Sequence, residues 1–178
     1  MKKILPWQEI SRENVFSKYG RKIDKVIFKL PTGQESDFYL TGKDDRVVAV
    51  FALTPDNQVI LVEEFRPGPQ KILSELPGGG VDKAETPLEA IKREFLEESG
   101  YTGDFEFVTE SIIDAYSGAT RYHFVAKNCR KIQEPADTDV EFTNVVLMNL
   151  DQFKKYLKIG QLSDIATAYY GLEHLDLL

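Results

Sequence analysis

The segment from residue 76 to residue 101 constrains the fold of this chain more than any other part of its sequence. Three consecutive glycines, Gly78–Gly80, precede a stretch in which both ends of a helix are encoded. Thr86 is a favourable N-cap, Glu89 three residues later completes a capping box, and Gly100 can end the helix in a left-handed conformation. The sequence therefore predicts a glycine-rich bend followed directly by a helix with two well-defined ends.

The two faces of this predicted helix differ in chemistry. One face has an apolar stripe that can pack on a sheet, formed by Leu88, Ile91 and Phe95. The other face has three carboxylates at neighbouring positions, those of Glu94, Glu97 and Glu98. Like charges at this spacing destabilise a helix, and a hard divalent cation such as Mg²⁺, which prefers oxygen ligands, would remove the repulsion. An acidic helix face is also common as plain solvated surface, so the spacing alone leaves both interpretations open.

The rest of the chain alternates between strand patterns and turn residues. Runs rich in β-branched and aromatic residues predict strands. They lie at 22–30, in a second extended segment that ends at 38–40, and at 47–54, 59–65, 105–113, 122–126 and 143–147. Helices are predicted at 150–157 and after residue 163, where Ser163 and Asp164 are natural cap residues. We therefore expect an N-terminal β-hairpin element in residues 1–42 and an α/β core with a mixed sheet in residues 43–178.

Composition argues against several classes of partner. The net charge of −7 repels phosphate groups, so a phosphate-bearing ligand must be bound by local cations, amides or a metal, and we expect no nucleic-acid partner. No apolar run reaches the roughly 18 residues of a membrane span, so we expect no membrane association. The single cysteine, Cys129, excludes an internal disulfide and is expected to pack as a small apolar side chain in a cytoplasmic protein. His123 and His174 lack a partner at metal or nucleophile spacing, so we expect core or surface roles.

Seven residues at fixed spacing around the helix resemble the Nudix box. They are Gly79, Glu85, Arg93, Glu94, Glu97, Glu98 and Gly100. A chance match of this length would occur on the order of once in a million chains, given typical residue usage. The resemblance implies an α/β (α+β) fold, the Nudix-type α/β/α sandwich with a mixed sheet, to which the N-terminal hairpin is an addition. Two positions depart from the family, which usually has aliphatic residues in place of Phe95 and Tyr101.

The resemblance also implies a reaction, which is hydrolysis of the pyrophosphate bond in a nucleoside diphosphate linked to another group. Glu94, Glu97 and Glu98 would ligate Mg²⁺, or Mn²⁺ in its place, and the carbonyl group of Gly78 or Gly79 can join them. Glu85 would pair with Arg93 and brace the glycine loop against the helix. The superfamily often takes its catalytic base from a later loop, and among the acids of residues 134–141 we favour Glu141, which directly precedes a predicted strand.

A looser resemblance points to the ADP-ribose pyrophosphatase branch of this superfamily. An aromatic-Arg-Pro element at residues 65–67 precedes a Glu-Leu-Pro element at residues 75–77. It implies that ADP-ribose is cleaved to AMP and ribose 5-phosphate, that Arg66 contacts the phosphate or base, and that Glu75 lies beside the metal cluster. The branch also exchanges its N-terminal hairpin in a homodimer, so we expect a homodimer here. A surface ion pair is the alternative role for Arg66.

The substrate prediction has open alternatives. The branch commonly has a Ser-Pro-Gly element after the box, whereas residues 115–120 of this chain read Ala-Tyr-Ser-Gly-Ala-Thr. Another nucleoside diphosphate sugar, such as a GDP-sugar, or the dinucleotide NADH therefore remains an alternative substrate. A Nudix-fold nucleotide sensor without catalysis is the alternative outside the enzyme class.

Overall fold

A computed structural model describes residues 3–18, 20–136 and 143–178 of the chain. The chain divides into two compact units. The first unit comprises Met1–Asp45 and Ile112–Thr120, and the second comprises Arg46–Ser111 and Arg121–Leu178. The domain boundary expected from the sequence, between residues 42 and 43, stays a prediction.

The first unit contains a three-stranded antiparallel sheet in the order β1-β2-β3. Its strands are β1 (Gln8–Lys18), β2 (Arg21–Lys29) and β3 (Glu35–Thr41). The hairpin predicted from the sequence corresponds to β2 and β3, whereas β1 was not predicted. Two register shifts in β1, between Glu9 and Ser11 and between Asn14 and Phe16, break the alternation of side chains that would have identified it as a strand.

Among the described residues, the second unit contains two sheets and three helices. Its elements are β4 (Arg46–Ala52), β5 (Gln58–Arg66), β6 (Lys71–Glu75), β7 (Gly78–Gly80), α1 (Pro87–Ser99), β8 (Tyr101–Ile112), β9 (Thr120–Lys131), β10 (Asn144–Asn149), α2 (Leu150–Ile159) and α3 (Ile165–His174). One sheet has the order β10-β5-β6 and the other has the order β7-β4-β9-β8. The predicted α+β class is confirmed. Among the residues with described structure, every helix is too short or too polar to span a bilayer.

Strand β4 lies between two layers of the core, because its successive side chains point to opposite faces of the sheet. Val48 and Val50 belong to the layer that contains Ile91 and Phe95 of α1. Phe51 belongs to the other layer, with buried residues of α2 and α3. The sheet thus has helices on both faces, as the expected α/β/α sandwich requires.

Helix α1 has the ends that its sequence predicts. The Thr86 hydroxyl accepts a hydrogen bond from the Glu89 amide, and the Glu89 carboxylate accepts one from the Thr86 amide at 2.8 Å. Gly100 adopts a left-handed conformation with φ of 74°. The apolar stripe is confirmed at Ile91 and Phe95 and is wrong at Leu88, which is exposed because Ala90 takes the buried position in the first turns.

Helix α3 begins differently from the prediction. Asp164 is at the N-cap position, but its side chain makes no cap hydrogen bond. Its carboxylate instead pairs with Arg121 and accepts a hydrogen bond from the hydroxyl of Thr167. The capping prediction for Asp164 was therefore wrong, because the partly buried Arg121 of β9 binds this carboxylate.

Helix α2 contacts β6, an edge strand of the sheet β10-β5-β6, through the phenol group of Tyr156. The hydroxyl of Tyr156 accepts a hydrogen bond from the Ser74 amide at 3.2 Å and donates one to the Ser74 carbonyl at 2.9 Å. Ser74 lies in β6, which pairs with β5 on its other side. Both backbone groups of Ser74 are thereby bonded to a side chain of α2.

Candidate active site

The three glycines form the short strand β7 rather than the bend predicted from the sequence. Gly78 and Gly79 pair with Ala49 and Val48 of β4. A Cβ atom on Gly78 would overlap the carbonyl oxygen of Val48, and a Cβ atom on Gly79 would overlap the carboxylate of Glu94. Gly78 therefore has no room for a side chain, because the backbone of β4 lies too close, whereas a side chain at position 79 would displace the Glu94 carboxylate.

Two of the three predicted carboxylates of α1 border this glycine strand. Glu98 Oε2 accepts a hydrogen bond from the Gly78 amide at 2.9 Å. The Glu94 carboxylate lies against the Cα of Gly79. Glu97 has its side chain 51% exposed, and its Oε2 lies 3.2 Å from Nη1 of Arg93. The helix thus presents carboxylate oxygens along β7, the edge strand of its sheet.

Arg93 connects the helix to the loop that follows the glycines. Its Nε and Nη2 donate to the two oxygens of Glu85 at 2.8 and 3.0 Å, and Nη2 also donates to the Gly80 carbonyl at 3.2 Å. Its Nη1 donates to Glu94 at 2.9 Å. The bidentate geometry fixes the guanidinium plane, so Arg93 holds both the loop and the Glu94 carboxylate in place.

Two of the three glutamates bonded to Arg93, Glu85 and Glu94, have pKa values shifted in opposite directions. Burial raises the pKa of Glu94, and the hydrogen bond and charge of Arg93 oppose this effect. The pKa of Glu85 is lowered, chiefly by its hydrogen bonds with Arg93. Glu94 is therefore a carboxylate that gains from additional positive charge nearby.

Arg66 and Glu75 form an ion pair between the adjacent strands β5 and β6. Arg66 Nε donates to Glu75 Oε2, and Arg66 Nη1 pairs with Glu64. Glu75 is 1% exposed, and its ion-pair partner is Arg66 rather than a group on α1. The ion pair that the sequence left as an alternative for Arg66 is present, while 43% of the Arg66 side chain remains exposed.

Comparison with known proteins identifies the family. A model of the NUDIX domain matches residues 43–166. The chain belongs to the Nudix family. This match covers β4 through the start of α3, and with them every element of the site described so far.

Relatives and solved structures extend the Nudix assignment. An ADP-ribose pyrophosphatase from Bacillus subtilis is 28% identical over 98% of this chain and 95% of its own length. A methanol dehydrogenase activator from Bacillus methanolicus is 29% identical over 99% of this chain and 96% of its length. A crystal structure of an ADP compounds hydrolase has the same fold, with a TM-score of 0.81 over 100% of both chains at 18% identity. The expected assignment to Nudix pyrophosphohydrolases of the ADP-ribose pyrophosphatase-like branch is confirmed.

The Nudix box residues fit a divalent metal ion. Nudix hydrolases generally depend on such an ion. Within residues 3–18, 20–136 and 143–178, no three His, Cys, Asp or Glu side chains are gathered as a ready metal cluster. Instead, the cationic Nη1 of Arg93 lies between Glu94 and Glu97. Mg²⁺ needs only one or two carboxylates together with water and phosphate oxygens, and the donors here are all hard oxygens beside the glycine strand. The donor set therefore suits Mg²⁺ or Mn²⁺.

Sequence reasoning missed the polar residues on the α3 side of the sheet. His123, which is fully buried, has Nδ1 2.7 Å from the Thr167 hydroxyl and Nε2 2.9 Å from the Ser111 hydroxyl. Because Thr167 donates to Asp164, it accepts from Nδ1–H, so Nε2 accepts from Ser111. His123 is thus a buried, hydrogen-bonded core residue, as expected. The signal that could have revealed its neighbours is Arg121, a lone cation at the start of an apolar strand.

The predicted catalytic base cannot be compared with the structure. Glu141 lies outside the described residues. Of the acids considered with it, Glu134 is described, and it pairs with Lys131 at 2.6 Å on the surface. The preference for Glu141 stays a prediction.

Proposed function

We propose that this Nudix protein hydrolyses ADP-ribose to AMP and ribose 5-phosphate with Mg²⁺ as its cofactor. Hydrolysis of a nucleoside diphosphate derivative is the coarser statement that the family and its relatives support. The observation that carries the proposal is the contact of two α1 carboxylates with the glycine strand: Glu98 accepts from the Gly78 amide, and Glu94 lies against Gly79. The Bacillus subtilis relative named as an ADP-ribose pyrophosphatase, which aligns over nearly the whole chain, supports this substrate.

The residues that would hold the metal are Glu94, Glu97 and Glu98, together with the carbonyl group of Gly78 or Gly79. A bound Mg²⁺ supplies Lewis-acid polarisation of phosphoryl oxygens and lowers the pKa of water. Burial of Glu94 supports its role, since a buried carboxylate gains more from a nearby cation than an exposed one does.

The chain's own residues bind the substrate and move a proton. Arg93 and Glu85 hold the loop and α1 in a fixed relation. Arg66, half exposed beside Glu75, contacts the diphosphate. Glu141 takes a proton from the attacking water, whose oxygen bonds to one phosphorus while the bond from that phosphorus to the bridging oxygen breaks.

The test is a substrate panel with purified protein and Mg²⁺. The release of AMP or another nucleoside monophosphate is measured. ADP-ribose, a GDP-sugar, NADH and a second nucleoside diphosphate sugar are compared, each with and without EDTA. We expect the largest kcat/KM for ADP-ribose and no turnover with EDTA. A larger kcat/KM for another compound would change the proposed substrate but not the proposed reaction. Binding of these compounds without turnover of any of them would show that the protein is a nucleotide sensor and not an enzyme.

We also propose that the protein is a cytoplasmic homodimer. The first unit exposes apolar side chains that a second copy could cover, among them Trp7, Ile10, Val15 and Phe16. The Trp7 ring packs on the Phe38 ring, with centroids 5.2 Å apart. This contact holds Trp7 in place within the exposed apolar surface.

A further inference from the structure

Arg46, the first residue of β4, binds the loop of residues 81–86 through both its side chain and its backbone. Its Nη2 donates to the carbonyl oxygens of Asp82 and Glu85, at 3.0 and 3.3 Å. Its own carbonyl oxygen accepts a hydrogen bond from the Val81 amide at 2.9 Å. One residue of β4 therefore holds this loop near both of its ends, between β7 and α1. Arg46 lies outside the Nudix box, which begins at Gly79.

The Arg46 side chain bonds to backbone oxygens and not to carboxylates. Within residues 3–18, 20–136 and 143–178, its hydrogen-bond acceptors are the carbonyl groups of Asp82 and Glu85, and it forms no ion pair with an acidic side chain. Hydrogen bonds from a charged donor are stronger than those between neutral groups. Arg46 therefore fixes the course of the loop backbone and does not neutralise an acid.

The loop is also bonded to itself at the two residues that Arg46 contacts. The Glu85 amide donates to the Asp82 carbonyl at 3.1 Å, and the Asp82 amide donates to the Glu85 carboxylate at 3.2 Å. The Asp82 carbonyl thus accepts from both the Glu85 amide and Arg46. A displacement of this carbonyl would therefore displace Glu85 with it.

Arg93 connects Glu85 to the carboxylates of α1. Glu85 accepts two hydrogen bonds from Arg93, whose Nη1 donates to Glu94 at 2.9 Å and to Glu97 at 3.2 Å. If Glu85 moved away, the Arg93 guanidinium would lose two acceptors and would bond more closely to Glu94 and Glu97. A guanidinium in that position competes with any other cation for the same oxygens. Every contact on this route from Arg46 to Glu94 is a hydrogen bond of 3.3 Å or shorter.

We propose that Arg46 is a positioning residue for the metal site, which holds Glu85 so that Arg93 does not displace the metal ion. The inference rests on the proposed function, in which Glu94 and Glu97 are ligands of Mg²⁺. It predicts weaker metal binding without Arg46, even in protein that is fully folded. A residue that only stabilised the fold would lower the melting temperature and leave the metal affinity of the folded protein unchanged.

The experiment measures the Kd of Mn²⁺ by electron paramagnetic resonance, which detects the free ion. The unmodified protein and Arg46→Met are compared with and without α,β-methylene-ADP-ribose, an analogue that cannot be hydrolysed between its phosphorus atoms. We expect the Kd of Mn²⁺ to rise about fivefold in Arg46→Met. The Mg²⁺ concentration for half-maximal activity should rise by a similar factor, with kcat at saturating Mg²⁺ within about twofold. Melting temperatures show that the compared proteins are folded.

The variant Glu85→Gln tests whether the effect passes through Glu85. Glutamine lacks the charge that holds Arg93, so we expect the Kd of Mn²⁺ to rise about tenfold. In the double variant R46M/E85Q, loss of Arg46 should add less than about twofold, because contacts along one route are not additive. A further increase as large as that of Arg46→Met alone would show that Arg46 acts independently of Glu85 and would overturn its positioning role.

Controls separate failure of this inference from failure of the proposed function. Arg130→Met changes an exposed arginine of β9 and should leave the Kd of Mn²⁺ unchanged. An unchanged Kd in folded Arg46→Met would overturn the inference alone. Absence of Mn²⁺ binding by the unmodified protein would overturn the proposed cofactor, and this inference with it. Should Arg46→Met not fold, Arg46→Lys decides in its place: it keeps the charge on a shorter side chain, and an unchanged Kd there would also overturn the inference.

Discussion

The carboxylate of Glu98, in the last turn of α1, accepts a hydrogen bond of 2.9 Å from the backbone amide of Gly78. This single contact ties the end of the helix to the first residue of the glycine strand. Glu97, one residue earlier, points instead to Arg93 and to solvent. The two neighbouring glutamates therefore have different structural roles, although both are proposed metal ligands.

Replacing either glutamate with glutamine separates charge from hydrogen bonding. The amide oxygen of Glu98→Gln can still accept from Gly78, so the fold should persist while the negative charge is lost. We expect turnover of ADP-ribose to fall by about two orders of magnitude or more in Glu98→Gln and Glu97→Gln. Circular dichroism and melting temperature check the fold, and Glu110→Gln on the exposed face of β8 is the matched control. Full activity in both variants would refute the assignment of metal ligands.

Alanine substitutions along β7 should have three different effects. A methyl group at position 78 overlaps the backbone of Val48, so Gly78→Ala should lower the free energy of unfolding by about 1–3 kcal/mol. A methyl group at position 79 meets the movable end of Glu94, so Gly79→Ala should lower activity more than stability. Gly80→Ala meets no atom within 4 Å among the described residues and serves as the control. Urea unfolding and kcat, measured on all three, give the comparison.

Stability should depend on pH through His123. Burial, and secondarily the charge of Arg121, lower the pKa of His123 to about 4, whereas an unfolded histidine has a pKa of about 6.5. Between these values the unfolded chain binds a proton that the folded chain does not. The free energy of unfolding should therefore fall as pH falls from about 6.5 to 4, by at most about 1.4 kcal/mol per pH unit from this group.

The variant His123→Gln tests the origin of this pH dependence. Urea unfolding of both proteins at several pH values between 4.5 and 7.5 gives the two slopes. The slope of the variant should be smaller, even if its stability is lower at every pH. Equal slopes would show that His123 does not carry the effect.

The oligomeric state is tested by light scattering. A homodimer has twice the 20.3 kDa mass of one chain. We expect Phe16→Glu, which places a charge on the exposed apolar surface of the first unit, to shift the mass towards that of one chain. Ser17→Glu adds the same charge at the neighbouring exposed position and is the control. A monomeric mass for the unmodified protein would contradict the homodimer.

Local signals account for what the sequence predicted well. The ends of α1 depend on residues within one turn, Thr86 with Glu89 and Gly100 with Leu96, so spacing alone identifies them. The position of the carboxylates on one helix face follows from the same periodicity. Most strands and all three helices of the described residues were located in this way, with ends that differ by a few residues.

Contacts between distant segments account for what the sequence missed. Nothing near Asp164 in the chain indicates that Arg121 binds its carboxylate instead of the α3 amides. The buried position of Glu75 on β6 likewise gives it Arg66 of β5 as a partner, a pairing that no local pattern in the sequence indicates. The short strand β6 itself has too few residues for a periodic pattern, and it is defined by pairing with β5.

The double contact of Tyr156 with Ser74 has a consequence for how this protein behaves at high concentration. An outer strand normally offers free N–H and C=O groups that template addition of a strand from another chain, a first step towards aggregation. On β6 one phenolic oxygen satisfies both groups of Ser74 and leaves an incoming strand nothing to bond at that point. A single side chain of α2 thus protects the edge of β6, next to the Arg66–Glu75 pair, from pairing with a strand of another molecule.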